Sequence, residues 1–69
     1  MANIYQSFGQ NVKKHRKELG LSQEELAFKI GRDTRTIVAI EAGDRNPTMQ
    51  TIYKLCKTLK IKSSQILSF

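Results

Sequence analysis

Apolar residues along this chain recur every three to four positions, which is the period of an α-helix that buries one face. Phe8, Val12 and Leu19 begin this pattern, and no strand-like alternation competes with it further along. The pattern predicts helices near residues 6–18, 22–29, 33–41, 48–59 and 63–68. With 69 residues, the chain has room for one domain, so we expect an all-α fold with residues 1–69 in a single domain.

Capping residues mark where several of these helices begin and end. Ser22 is followed three positions later by Glu25, which is the capping-box arrangement for a helix start. Asp33 and Thr48 are residue types that cap the next two helices well. Glycine accepts the left-handed conformation that commonly ends a helix, and we assign this role to Gly20, Gly31 and Gly43.

Residues 22–43 describe two short helices joined by a tight turn at Gly31. Ala27 is small enough to let the two helices approach closely. Ile37 and Ile40 share one side of the second helix and can pack against the first. Ordinary amphipathic helix pairs show parts of this pattern, but small residues and glycine at these offsets are less common by chance. The segment predicts a helix-turn-helix, whose second helix enters the major groove of DNA.

The charge balance is consistent with such a partner. The chain has 12 Lys and Arg residues against 6 Asp and Glu residues, for a net charge of +6. This excess indicates a polyanionic partner, either nucleic acid or an anionic membrane surface. Because no apolar run approaches the roughly 20 residues that span a bilayer, and no signal peptide is visible, we expect a cytoplasmic protein with no membrane partner.

Catalytic and metal-binding patterns are not evident in the sequence. The single Cys56 cannot form an internal disulfide, and no Cys and His cluster has metal-ligand spacing. We find no nucleophile with a matching histidine and acid, and no glycine-rich phosphate loop. We therefore predict a non-enzymatic protein without a metal or cofactor.

The outer face of the third helix carries the residues that we expect to read bases. At about 100° per residue, one face collects Thr34, Arg35, Val38 and Ala39. The planar guanidinium of Arg35 suits the O6 and N7 atoms of guanine, whereas Val38 and Ala39 suit thymine methyl groups. The alternative for Arg35 is an ordinary solvated arginine.

Phosphate contacts are expected on both sides of that helix. Gln23 lies in the first turn of the second helix, where main-chain N–H groups and the helix dipole favour an anion. Arg45 and Asn46 follow the third helix in a loop that can straddle the DNA backbone. The full set of predicted phosphate contacts is Gln23, Arg32, Thr36, Arg45 and Asn46.

Several motifs together resemble the Cro and phage-repressor type of helix-turn-helix family, also called xenobiotic-response-element-like regulators. They are Phe8-Gly9-x-x-Val12-Lys13-x-x-Arg16, Leu19-Gly20-Leu21-Ser22-Gln23-Glu24-Glu25-Leu26-Ala27, Ile37-x-x-Ile40-Glu41-x-Gly43-x-Arg45-x-Pro47, and residues 55–67. The resemblance covers residues 8–67. It implies a compact five-helix bundle, usually dimeric, that acts on transcription in a prokaryote or phage. It also implies that Arg16 and Glu41 form a partly buried ion pair, and that Gln23 holds a backbone phosphate.

A homodimer is expected for a further reason, since a lone domain of this size reads too short a stretch of DNA for high specificity. We expect the C-terminal region to have more apolar side chains than one short helix can bury against its own bundle, and such a surplus commonly marks an interface. The predicted interface residues are Leu59, Ile61, Ile66, Leu67 and Phe69. The alternative is that these residues close the core of the monomer.

The sequence therefore favours a DNA-binding transcription regulator that recognises a pseudo-palindromic operator as a dimer. The second hypothesis is a protein-interaction module of the same fold, such as an antitoxin or bridging factor, with DNA binding secondary. A membrane-binding basic helix is the third and fits the core pattern poorly. An additional protein partner, such as RNA polymerase or a toxin, is compatible with the first two hypotheses.

Overall fold

Five helices and the loops between them make up the described part of the chain, residues 3–67 of a computed structural model. The helices are α1 Ile4–Glu18, α2 Gln23–Ile30, α3 Thr34–Ala42, α4 Met49–Leu59 and α5 Ser63–Ile66. Within these residues no strand occurs, and the all-α expectation is confirmed.

The first helix begins at Ile4, two positions earlier than the apolar pattern predicts. Asn3 caps it, because its side-chain Oδ1 accepts a hydrogen bond from the Gln6 N–H at 2.8 Å. The Gln6 Oε1 in turn accepts from the Asn3 N–H at 3.2 Å, which completes a capping box. The apolar period could not reveal this start, since the first turn is fixed by polar side chains.

The other predicted caps are present. Ser22 and Glu25 form the expected box, with the Ser22 Oγ accepting from the Glu25 N–H at 3.0 Å. Hydrogen bonds from the Ser22 backbone N–H and hydroxyl lower the pKa of Glu25. Asp33 and Thr48 cap α3 and α4 through their side chains. The predicted spans counted these caps as the first helical residues, so each of these three helices starts one residue later.

Glycine residues end α2 and α3, as predicted, and a lysine ends α4. Gly31 and Gly43 adopt positive φ angles of 71° and 79° and end α2 and α3. Lys60 ends α4 with the same left-handed conformation, at a φ of 59°, although it is not a glycine. The last helix ends at Ile66 rather than near residue 68.

A single core receives side chains from all five helices. Ten hydrophobic residues are buried in it: Phe8, Val12, Leu26, Ala27, Ile30, Ile37, Ile40, Leu55, Leu59 and Ile66. The carbonyl of Ile66 also accepts a hydrogen bond from the Asn11 Nδ2 at 3.0 Å, which ties α5 to α1.

This core corrects part of the predicted dimer interface. Leu59 and Ile66 are 2% and 0% exposed within one chain, so they close the core of the monomer and retain no surface for a partner. Ile61 is half-buried and packs against the same core, whereas Leu67 is 43% exposed. Phe69 lies outside the described residues. The short α5 buries its one inward isoleucine completely, which the sequence pattern underestimated.

Gly9 allows α1 to approach the backbone of α3. A Cβ atom at this position would lie 2.7 Å from the Glu41 carbonyl oxygen and would overlap the Ile40 carbonyl oxygen. Both obstacles are main-chain atoms of α3, so they cannot move aside by changing a rotamer. The close contact positions α3 against α1 without intervening side chains.

Replacing Gly9 with alanine should therefore destabilise the fold by about 1–3 kcal/mol, despite the better helix propensity of alanine. Urea unfolding followed by circular dichroism measures the change. The matched control is Gln10→Ala, at the next and exposed position of the same helix. Equal stabilities of the Gly9→Ala and Gln10→Ala variants would contradict the close approach.

Candidate nucleic-acid interface

The turn between α2 and α3 sets the angle of the second helix. Gly31 is left-handed, and the Arg32 N–H after it donates to the Ala27 carbonyl at 2.9 Å. Ala27 is buried, as the sequence interpretation requires of a residue at the helix contact. Ile37 and Ile40 are also buried, so the inner face of α3 is fixed to the bundle.

The opposite face of α3 points outward. The Arg35 side chain is 92% exposed, and Val38 is also exposed. Thr34 and Ala39 are half-buried beside them. The four residues expected to read bases therefore share an accessible surface of one helix.

An ion pair fixes the C-terminal half of α3 to α1. The Arg16 Nε donates to the Glu41 Oε2 at 2.7 Å, and the Arg16 Nη2 donates to the Glu41 Oε1 at 3.0 Å. The two side chains are only 8% and 4% exposed. The hydrogen bond to Glu41 is the main cause of a raised Arg16 pKa, because it stabilises the charged guanidinium. The geometry is the bidentate arrangement in which arginine binds a carboxylate most strongly.

Two further groups join this ion pair. The Arg16 Nη1 donates to the Leu21 carbonyl at 2.8 Å, and the Gln23 Nε2 donates to the Glu41 Oε1 at 3.0 Å. The network therefore connects α1, the loop before α2, the first turn of α2, and α3. No local sequence signal predicts these two bonds, since one acceptor is a backbone carbonyl and the other partners lie 18 residues apart.

Gln23 has two possible roles as a result. It occupies the first turn of α2, where an anion is favoured, and it also donates to Glu41. A glutamine amide nitrogen carries two protons, so the bond to Glu41 leaves a second donor for a phosphate oxygen.

A second polar cluster lies at the start of α3. The Asp33 Oδ1 accepts from both the backbone N–H and the hydroxyl of Thr36, each at 3.0 Å. The Thr36 hydroxyl oxygen accepts from the Arg45 Nη1 at 3.3 Å, and the Arg35 Nη2 lies 3.6 Å from the Asp33 Oδ2. The hydrogen bonds from Thr36 are the largest cause of a lowered Asp33 pKa, with smaller contributions from the charges of Arg35 and Arg45.

Four of the predicted phosphate contacts lie around one cleft of about 150 Å³ next to this cluster: Arg32, Thr36, Arg45 and Asn46. Gln23 is not among the residues that line it. Four of the five predicted residues thus lie together at the cleft near the start of α3, and the fifth, Gln23, lies by itself at the start of α2.

The described residues contain neither a metal-ion cluster nor a membrane-spanning helix. Among residues 3–67 no three His, Cys, Asp or Glu side chains are grouped so that they could hold a metal ion. No helix in that part of the chain has both the length and the apolar character needed to cross a membrane. Partial burial raises the pKa of the Cys56 thiol.

Comparison with known proteins identifies the family of this chain. Residues 12–66 match the helix-turn-helix family. The chain is a member of the helix-turn-helix family. Together with relatives of the Cro and phage-repressor type, this membership confirms the resemblance found in the sequence. The protein is a DNA-binding transcription regulator and is not an enzyme.

Individual helix-turn-helix relatives match over most of their length. A transcriptional regulator of Methanothermobacter thermautotrophicus is 42% identical over 48 residues, which is 70% of each chain. The control protein C.BamHI of Bacillus amyloliquefaciens is 37% identical over 97% of this chain and 84% of its own. The crystal structure of the restriction–modification controller protein C.AhdI from Aeromonas hydrophila superimposes with a TM-score of 0.86 at 37% identity, covering 90% of this chain and 94% of that one.

The buried network generates a prediction about stability. Glu41→Ala should cost about 3–5 kcal/mol, because it leaves the Arg16 charge buried without its partner. The double variant Arg16→Met with Glu41→Ala should lose less than the sum of the single losses, since no unpaired charge remains. Urea unfolding of the wild type, both single variants and the double variant measures this coupling. Strictly additive losses would show that the two side chains do not stabilise each other.

Proposed function

We propose that this regulator binds a two-fold-symmetric operator as a homodimer, with α3 of each protomer in the major groove. The observation that carries the proposal is the division of α3 into an anchored inner face and an accessible outer face. Ile37 and Ile40 hold the helix from within, while Arg35 extends into solvent at its N-terminal end. That end is the part of a recognition helix that reaches base edges.

Direct readout is assigned to Thr34, Arg35, Val38 and Ala39. Arg35 offers a bidentate fork to guanine, and its contact with Asp33 is long enough, at 3.6 Å, to be exchanged for a base. Val38 and Ala39 present methyl groups next to it, which suit a thymine methyl. Thr34 is at the helix start, where its hydroxyl can bond a base or a phosphate.

Phosphate contacts are assigned to both sides of α3. The cleft lined by Arg32, Thr36, Arg45 and Asn46 brings two guanidinium groups close to the start of the recognition helix. Gln23 offers a donor at the start of α2, held in place by Glu41. Two anchoring points of this kind would fix the register of α3 on the duplex without reading its sequence.

The dimer interface requires a surface other than Leu59 and Ile66. Leu67 remains exposed and borders an apolar cleft of about 220 Å³ together with Ile4 and Tyr5. We assign the contact with a second copy to this surface, together with Ile61, which the sequence also predicted at the interface. Two recognition helices would then read half-sites about 34 Å apart, one turn of B-DNA.

The similarity to the restriction–modification controller protein C.AhdI, and to the control protein C.BamHI, supports a role in the control of a restriction–modification system. A phage repressor of Vibrio cholerae, RstR, is also similar, at 33% identity over 88% of this chain. A controller is the finer assignment that we propose, because the match to C.AhdI covers nearly all of both chains.

The proposed function is tested by selecting duplexes from a random pool with the purified protein. We expect enrichment of one motif with two-fold symmetry. Affinity for the selected duplex should fall roughly 10³-fold or more between 50 and 200 mM salt, since several phosphates are neutralised per dimer. A protein that binds selected and random duplexes equally at both salt concentrations would favour the interaction-module hypothesis instead.

Arg35 and Arg45 should have different effects when each is replaced with alanine. Arg35→Ala should cost about 1–3 kcal/mol on the selected duplex and relax the preference at one base pair. Arg45→Ala should weaken binding to all duplexes by similar factors, because a phosphate contact carries no sequence information. Both side chains are exposed, so both variants should stay folded. An unchanged selected motif with Arg35→Ala would show that this residue does not read a base.

Leu67→Asp should convert the dimer to a monomer in sedimentation equilibrium, because it places a charge in the apolar contact. Met49→Asp is the matched control, since Met49 is exposed but does not line the cleft beside Leu67. Ile66→Asp would not serve, because it would place a charge in the core and unfold the chain. A dimer that persists with Leu67→Asp would locate the interface elsewhere.

A further inference from the structure

A long, shallow groove runs between α2 and α4. It consists of two adjoining hollows of about 500 and 520 Å³ that share Lys29, Lys57 and Thr58. None of the described residues that line the hollows belongs to α3 or to the loop that follows it. This α2–α4 groove therefore shares none of its lining residues with the set that we assign to DNA.

Phe28 lies in this groove without a role in the fold. Leu26, Ala27 and Ile30 form the buried face of α2, whereas Phe28 is 86% exposed. It is the most exposed large hydrophobic side chain among the described residues. Tyr53 lines the same hollow from α4 and is also exposed. An aromatic side chain of this size is among the strongest anchors in protein interfaces when a partner covers it.

The charge around Phe28 narrows the choice of partner. Of the described residues that line the two hollows, every charged one is a lysine: Lys29, Lys54, Lys57 and Lys60. Glu24 and Glu25 share a third hollow with Phe28 and Lys29, and no described residue of α4 lines that hollow. A second copy of this chain is already assigned to the surface at Leu67, and its net charge of +6 does not complement four lysines. The groove is complementary to an acidic segment.

Protein fits this surface better than nucleic acid. A duplex would meet the lysines with its phosphates but would leave Phe28 exposed to water, because its bases are stacked on one another. Stacking of a base on Tyr53 is obstructed on one face, because the Lys57 Nζ lies 5.6 Å from the centre of its ring. A polypeptide supplies both carboxylates and an apolar side chain at the same time.

We propose that the α2–α4 groove docks an acidic segment of a partner protein, with an apolar side chain on Phe28 and carboxylates at Lys29 and Lys57. Because no described groove residue comes from α3, the segment binds while α3 occupies the operator. The groove thus gives a DNA-bound regulator a way to recruit or respond to a second protein.

The test uses a fluorescein-labelled synthetic peptide that carries alternating Glu and Leu residues around one Phe. A matched peptide has Gln in place of Glu. We expect fluorescence anisotropy to show binding of the acidic peptide to the free protein and, equally, to the protein on its selected duplex. Phe28→Ala and Lys57→Glu should each weaken peptide binding about tenfold or more. Phe28→Ala should leave duplex binding at the wild-type level.

Two control variants separate docking from general attraction. Met49→Ala removes an exposed apolar side chain other than Phe28. Lys13→Glu reverses the charge of an exposed lysine that lies on α1. Neither lines the groove, so each should change peptide binding less than twofold. Circular dichroism of each variant checks folding, and we expect all of them to fold because the substituted positions are at the surface.

Other results would overturn the proposal. The duplex could displace the peptide, and the peptide could shift the backbone amide NMR signals of Arg35 and Arg45. Those two results together would show that the peptide binds at the DNA-contacting residues and not in the groove. Loss of duplex affinity in Phe28→Ala, or competition by oligothymidine, would make the groove a nucleic-acid surface. No binding, or equal binding of the acidic and glutamine peptides, would exclude an acidic partner. The measurement on free protein stands even if no selected duplex is obtained, so its outcome is independent of the operator proposal.

Discussion

The ion pair between Arg16 and Glu41 is the interaction on which the geometry of this protein depends. It joins α1 to α3, and its additional bonds reach the Leu21 carbonyl and the Gln23 amide before and within α2. Two charges at this depth are tolerated because their donors and acceptors are matched to one another. The same network that holds the outward helix also orients Gln23, so folding and the proposed phosphate contact share one set of bonds.

The sequence predicted the helices because their signals are local. Caps such as Ser22 and Asp33 and stops such as Gly31 act within one turn, and the apolar period marks each inner face. The outer face of α3 followed from the same period. Asn3 and Gln6 have the same spacing as Ser22 and Glu25, so the start at Asn3 was missed only because no apolar residue of the helical pattern marked it. The left-handed Lys60 was missed because glycine is the usual signal there.

What the sequence could not decide concerns contacts between distant segments. The assignment of Ile66 to an interface failed because burial of a short terminal helix depends on the shape of the bundle that receives it. The bond between Gln23 and Glu41 and the exposure of Phe28 are likewise three-dimensional properties. The identity of the Arg16 and Glu41 pair came from family resemblance and not from spacing.

The absence of a side chain at Gly9 has a consequence for how such regulators diversify. Because α1 rests on the main chain of α3, part of the support of this helix comes from atoms that every amino acid possesses. Its outward side chains take no part in that support, and substituting them leaves the helix axis where it was. New operator preferences can therefore arise by single substitutions on the outer face, while the scaffold beneath is inherited unchanged.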